Sequence, residues 1–307
     1  MRLAWIDVPF MSDRLKDMTV EKAKEVYDIG IRIVGCPNEL NASNDDIEWA
    51  KNFLEDNGLL PGPPGLGVSP VRPDKTEEKE SKKKIIQGVI YSGKLGAPSF
   101  RYSAGSMSPK NAWAPHPDNV TQKAMDLLVE STRELVSAAE DSNCLLIPET
   151  TQWSIVNSIE RMKEFVERVD SPYVKIAFDP VNHMTYDRVY ESGRYMKCAI
   201  SYLGDCIGTI HCKDVVVDKD KLLVSHIDEA PIGTGFLDYE ALMVATRQLE
   251  SWKLLAIEHL PYDETRIERI RTAYNHLKDI ADRIGHKWDD PRLTRDRFIK
   301  MKEKRTQ

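Results

Sequence analysis

The sequence predicts one (β/α)8 barrel, and three observations carry that prediction. The chain has 307 residues, beyond the usual size of a single domain but within the range of an α/β barrel. Short apolar runs alternate with stretches of helical periodicity at roughly thirty residues per pair, the pattern of parallel strands joined by helices. Eight helical stretches can be counted, and eight strand–helix units close a barrel instead of leaving an open sheet.

Strands of a parallel sheet are covered on both faces, so they read as continuous apolar runs and not as an alternation. In chain order, Leu3–Ile6 is the only run ahead of the first helix and has to serve as a short first strand. Val20–Tyr27 follows as helix, Ile31–Val34 as strand and Asp45–Leu54 as helix. The third strand runs into Leu66-Gly67-Val68-Ser69, after an irregular stretch of prolines and glycines from Pro61 to Gly67. Arg72–Lys84 is charged enough to read as a solvated loop entering the helix Ser81–Leu95. A long loop, Ser103–Asp118, leaves the fourth strand, and loops at the C-terminal ends of barrel strands are where substrates are held. The helix Asn119–Ala139, strand Leu145–Ile147, helix Ile155–Val169, strand Val174–Phe178 and helix Arg188–Leu203 continue the alternation. Strand Ile207–Ile210, helix Tyr239–Leu249, strand Leu254–Ile257 and helix Glu264–Ile284 complete it. The barrel is thus expected to span residues 1–285. A basic extension, 286–307, carries eight Lys/Arg against four Asp/Glu and reads as a solvated helix or subunit contact.

Composition narrows the function. With 41% hydrophobic and 30% charged residues the chain can bury a large core and keep a charged surface. No run approaches the length of a membrane span, and the N-terminus lacks a secretory leader. The five cysteines (Cys36, Cys144, Cys198, Cys206 and Cys212) are odd in number and scattered. They fit reduced thiols in the cytoplasm better than a disulfide framework. A net charge of −6 speaks against nucleic acid as substrate.

Four strands end in a potential ligand: Glu149 after Leu145–Pro148, Asp179 after Phe178, His211 after Ile210 and Glu258 after Ile257. The successive intervals are 30, 32 and 47 residues, each about one strand–helix unit with the last lengthened by a loop. In a parallel barrel this brings all four side chains to one rim. A lone acid at a strand end is more often a helix cap or an ion-pair partner; four such groups in consecutive units crowd three carboxylates, and a divalent cation removes their repulsion. Three oxygen donors and one imidazole form a mostly hard set, which favours Mn²⁺, with Mg²⁺, Co²⁺ and Zn²⁺ as alternatives. Such an ion acts as a Lewis acid on a carbonyl.

The segments Ile147-Pro148-Glu149, Phe178-Asp179-Pro180-Val181-Asn182-His183, His211-Cys212-Lys213-Asp214 and Pro231-Ile232-Gly233-Thr234-Gly235-Phe236-Leu237-Asp238-Tyr239 resemble the xylose isomerase-like barrel superfamily. The resemblance covers about Val20 to Ile284. It implies a Glu-Asp-His-Glu metal site on Glu149, Asp179, His211 and Glu258, with Glu149 and Glu258 doubling as acid and base. It points to sugar isomerases and epimerases. The ketose 3-epimerases carry a further acid shortly after the first metal Glu and an arginine after the metal His; here Thr150–Ile155 and Val215-Val216-Val217 supply neither. The endonuclease IV-type branch, which would act on abasic DNA, needs histidines after the second and third strands, where this chain has none. The catalytic subunit of C-glycoside deglycosidases is also similar; it cleaves 3-oxo-glucosides by β-elimination beside a small all-β partner. That resemblance implies a sugar or glycoside substrate and an oligomer or second subunit. A non-catalytic barrel subunit is the remaining alternative.

Further candidates follow from position. His116, between Pro115 and Pro117, is an additional base held over the rim by a stiff loop. Lys213 lies two residues after His211 and so on the same strand face, where it can meet a developing oxyanion. His259 follows Glu258 directly, so strand alternation turns it away from the ion, and it reads as a residue supporting the ligands or packing behind them. His183, Trp113 and His226 are candidates for substrate contact, and Trp153 for stacking on a sugar or aglycone. Each has an ordinary alternative: a helix cap for His183, a core position for the tryptophans, a solvated loop for the histidines.

Overall fold

The computed structural model describes residues 1–217 and 226–296. Eight parallel strands form one sheet: β1 (Arg2–Trp5), β2 (Ile33–Val34), β3 (Leu60–Pro61), β4 (Ser99–Ser103), β5 (Leu145–Glu149), β6 (Ile176–Phe178), β7 (Ile207–Cys212) and β10 (Leu254–Ile257). Their order is β3-β2-β1-β10-β7-β6-β5-β4. Closure comes from the stretch after β3. The Leu66 N–H donates to Arg101 C=O, the Arg101 N–H to Pro64 C=O and the Ser103 N–H to Val68 C=O, all at 2.9–3.0 Å. These bonds join residues 64–68 to β4, and the sheet becomes a (β/α)8 barrel.

The first strand is short but real, paired along its length with β10 from Arg2↔Leu254 to Trp5↔Ile257. Outside the barrel lie α1 (Val20–Ile29), α2 (Asn44–Asp56), α3 (Lys75–Leu95), α4 (Gln122–Asp141), α5 (Ile159–Val169), α6 (Tyr186–Val189), α7 (Ser192–Leu203), α8 (Tyr239–Thr246) and α9 (Arg266–Ile284). Thr19, Ser43, Asp74, Thr121, Ser158 and Asp238 each accept a backbone N–H of the first turn they precede, which satisfies donors the helix cannot. The main core fills the space between helices and sheet. Inside the barrel sit two small clusters, Ala4/Ile33/Leu254/Ala256 and Leu145/Ile147/Ala177/Trp252. No helix among the described residues is long and apolar enough to cross a membrane.

Three expectations are corrected. Arg72–Lys84 is not a solvated loop: α3 starts at Lys75, and Arg72 is buried, bonded to Glu77 and to the carbonyls of Ser108 and Pro109. It ties the start of α3 to the long loop after β4. The single helix 188–203 is two, α6 and α7, interrupted at Tyr190 and Glu191, where Glu191 leaves the helical region with φ −120° and ψ 31°. An antiparallel hairpin, β8 (Asp214–Val217) with β9 (Ile227–Ala230), stands between β7 and α8, where the sequence analysis placed no strand. The described part of the basic extension runs under the N-terminal end of the barrel. There the N-terminal ammonium meets Asp289 and the Arg2 guanidinium donates to Pro291 C=O; residues 297–307 lie outside the described set.

Candidate active site

Glu149 ends β5, Asp179 follows β6, His211 lies in β7 and Glu258 follows β10. Strand register brings them level, since His211 pairs with Ala256 and Glu149 with Ala177. All four are buried, and one ligand atom from each lies within 4.8 Å of the others. His211 Nδ1 is 3.1 Å from Glu258 Oε1 and 3.9 Å from Glu149 Oε1. Asp179 Oδ2, Glu258 Oε1 and both His211 ring nitrogens are buried without a directed hydrogen bond. Buried polar atoms are normally satisfied; here unsatisfied ones gather where one donor atom from each of the four residues lies close to the others, and their chemistry fits a divalent cation.

A second layer holds these groups. Arg101 Nη1 donates to Glu149 Oε2 at 2.5 Å, and Asn182 Nδ2 to Glu149 Oε1 at 3.0 Å. Lys213 Nζ lies 2.8 Å from Asp179 Oδ2, 2.9 Å from Glu229 Oε1 and 3.2 Å from Glu258 Oε1. Its approach to the two cluster acids is charge proximity without hydrogen-bond direction, since both of those oxygens lack a bonded donor. Burial pushes the Asp179 carboxyl up to about 6 despite Lys213. Burial acts the same way on Glu258, but His211 and Lys213 outweigh it and hold that carboxyl well below the usual range. The acids thus differ in proton affinity because of their neighbours.

His259 does not turn away. Its φ is +61°, a left-handed conformation uncommon for a non-glycine residue, so the alternation rule fails at this position. Asp7, just past β1, accepts the N–H groups of both His259 and Leu260 and so fixes the turn. The ring reaches Glu229 Oε2 at 2.8 Å and lies 3.2 Å from Lys213 Nζ. Glu229 comes from β9, and the hairpin is anchored by Asp214. That carboxylate accepts from Val215, Gly233, Gly235 and Leu237 N–H. A Cβ on Gly235 would lie 2.3 Å from Asp214 Oδ1 and from Val215 C=O. The Lys213-Asp214 and Gly-Thr-Gly-Phe segments therefore build the hairpin that carries Glu229 to the site.

The remaining candidates are spread around the mouth. His183 is fully buried behind the cluster, with Nε2 2.9 Å from Thr150 Oγ1 and its ring stacked on Phe178. His116 caps the short turn Pro117–Val120 by accepting the Asp118 N–H. Trp113 is half-buried, and its carbonyl accepts the Trp153 indole N–H at 2.6 Å. His226 is exposed and lines a cavity of about 460 Å³ with Gln152, Trp153, Asn182, Tyr186 and Glu229, next to the cluster. A cavity of equal volume lies at the opposite end of the barrel, between Arg2, Leu60, Trp252 and residues 291–296; that face of a barrel serves stability.

Arg101, Asn182, Glu229 and Asp7 were not singled out from sequence. Arg101 had a signal, an arginine in the middle of the buried strand Ser99–Ser103. Glu229 had none, because nothing in its surroundings indicates a hairpin folding back on β7.

The family model described as "Xylose isomerase-like TIM barrel" matches residues 23–280. No curated protein matches by sequence. Among solved structures, 3-keto-D-glucoside 4-epimerase from E. coli is similar, with TM-score 0.67, 16% identity, and 91% of this chain and 99% of that one covered. D-psicose 3-epimerase with D-tagatose from Clostridium cellulolyticum H10 gives the same TM-score, identity and coverages. A xylose isomerase-like TIM barrel protein from Mycobacterium smegmatis in complex with magnesium gives TM-score 0.64, 16% identity and 91% and 95% coverage. At such identities the likeness establishes the fold, and with the family match it leads to one conclusion. The chain belongs to the xylose isomerase-like TIM-barrel family.

Proposed function

We propose that this protein is a divalent-metal-dependent carbohydrate enzyme that removes a proton from the carbon beside a sugar carbonyl, leading to isomerisation, epimerisation or β-elimination. The observation that carries this reading is the convergence of Glu149, Asp179, His211 and Glu258 within 4.8 Å at the C-terminal rim of the barrel, the face where barrel enzymes work. These four residues hold the ion, and the hard donor set favours manganese. When bound, a divalent cation supplies Lewis acidity that lowers the cost of negative charge on a carbonyl oxygen.

The chain's own residues supply the rest. Glu149 and Glu258 come from β5 and from the end of β10, and both reach His211 Nδ1, at 3.9 and 3.1 Å; one carboxylate takes the proton from carbon and the other returns it. Arg101 and Asn182 fix both oxygens of Glu149. His211 and Lys213 keep Glu258 ionised and ready to accept a proton. His226 and Trp153 on the cavity wall, and Trp113 behind Trp153, position the sugar, and His116 serves as a further base if its loop swings over the mouth. His183 holds Thr150 and with it the backbone next to Glu149. Epimerases acting on sugars among the solved structures of this fold support the carbohydrate assignment. A cytoplasmic setting and assembly with further copies or a small all-β subunit complete the proposal.

The test is to load the protein with Mn²⁺ and incubate it in D₂O with ketoses, sugar phosphates and 3-oxo-glycosides. Deuterium should enter the carbon next to the carbonyl of at least one class, and the product distinguishes epimerisation from elimination. Absence of exchange across all three classes would remove the reading.

A further inference from the structure

Around the cluster, most polar groups are already engaged. Lys213 is enclosed by three carboxylates, and the Asn182 amide donates to Glu149 and to Thr150 C=O. Arg101 differs. It sits on β4 between Ser99 and Ser103, while Phe100 and Tyr102 face the other way, Phe100 against Gly88 of α3. The guanidinium therefore rises inside the barrel toward the mouth and is 25% exposed. One N–H, on Nη1, is used by Glu149. Among the described residues Nε and Nη2 have no hydrogen-bond partner, so the two-nitrogen edge of the fork stays open.

The side chain is also held in place. A Cβ on Gly65 would lie 2.9 Å from Arg101 Cβ and Nε and 3.1 Å from Cζ. Gly65 belongs to the stretch that closes the barrel against β4, so the absence of a side chain there makes the space in which the guanidinium lies. A planar fork with one edge tied to Glu149 and the other open can grip two neighbouring oxygens.

We propose that the Nε–Nη2 edge of Arg101 binds two adjacent substrate oxygens and stabilises the charge that develops on them as the proton leaves. This rests on the proposed function. The C–H electron pair becomes the C=C of an enediolate, the carbonyl π pair moves onto oxygen, and the proton goes to a carboxylate; reprotonation at carbon reverses each change. Arg101 exchanges no proton. It takes the place that sequence position suggested for Lys213, whose ammonium is committed to Asp179, Glu229 and Glu258.

The test uses Arg101→Gln, Arg101→Lys and Gly65→Ala, which moves the guanidinium without removing its charge. For each, the Mn²⁺ affinity, the binding of threonohydroxamate (a stable mimic of an enediolate) and turnover are measured. Arg101→Gln should lose about 10²-fold or more in hydroxamate affinity and turnover, the scale of a lost oxyanion donor, and a clearly smaller factor in Mn²⁺ affinity, since it also supports Glu149. Arg101→Lys should recover little, because a point charge does not span two oxygens, and Gly65→Ala should fall between wild type and Arg101→Gln. Unchanged hydroxamate binding in Arg101→Gln overturns the proposal. So does a loss of Mn²⁺ affinity equal to the loss of turnover, which would confine Arg101 to holding Glu149. A wild-type protein that binds the hydroxamate through Arg101 yet exchanges no substrate proton leaves the oxygen-binding role of Arg101 standing and sinks the proposed function, together with the charge stabilisation that rests on it.

Discussion

Single residues in this site are tuned by what surrounds them. Glu258 is buried, yet His211 and Lys213 keep its carboxyl well below the usual range, so it is a carboxylate at neutral pH. Glu258→Gln and Glu149→Gln keep the shape and remove the charge; each should lower turnover by about 10³-fold or more, on the scale of general-base catalysis. Their circular dichroism spectra should match wild type, and a full rate in either variant takes that residue out of the mechanism. His183 gives a stability prediction. Burial chiefly, with Arg188 nearby, pushes its ring down to about 3 from an ordinary 6.5. Between those values the unfolded chain binds a proton that the folded chain does not. The stability due to neutral His183 is therefore complete above about pH 6.5 and is lost as pH falls toward 3. Urea unfolding at pH 7 and pH 5 should show a smaller loss for His183→Asn than for wild type; an equal loss contradicts the assignment. The four residues of the cluster were legible in the sequence because each closes an apolar run. His259 was misplaced because its left-handed backbone, fixed by Asp7 from the far end of the chain, cannot be seen in local alternation.

At the scale of elements, the hairpin β8–β9 is the part that sequence patterning missed. Val215-Val216-Val217 is a β-branched run, but its partner Ile227-Asp228-Glu229-Ala230 holds two adjacent acids and no apolar alternation, and so gives no strand signal. What holds the hairpin is one carboxylate, Asp214, receiving four backbone N–H groups. Loss of that side chain leaves the buried Val215 and Leu237 donors unpaired, each costing roughly 1–3 kcal/mol. Asp214→Ala should therefore cost about 3 kcal/mol or more and loosen Glu229 and Lys213. Gly235→Ala should cost about 1–3 kcal/mol, because the new methyl group meets backbone and carboxylate at 2.3 Å. Chemical denaturation measures both. A Gly235→Ala protein as stable as wild type would show that the loop is not held as described.

For the whole molecule, the barrel was legible because parallel strands covered on both faces leave continuous apolar runs at near-constant spacing. Its closure was not, since β3 is two residues long and the seam to β4 runs through the irregular stretch 64–68. β4 pairs directly with β5, which places Arg101 beside Glu149, and closure sets Gly65 against the Arg101 side chain. The most direct measurement is an anomalous difference map, at a wavelength where manganese scatters anomalously, from crystals grown with Mn²⁺. One peak is expected, about 2.0–2.3 Å from donor atoms of Glu149, Asp179, His211 and Glu258, the range of metal–ligand bonds to nitrogen and oxygen. A map with no peak there, in which the Lys213 ammonium still lies among the three carboxylates, would contradict the account.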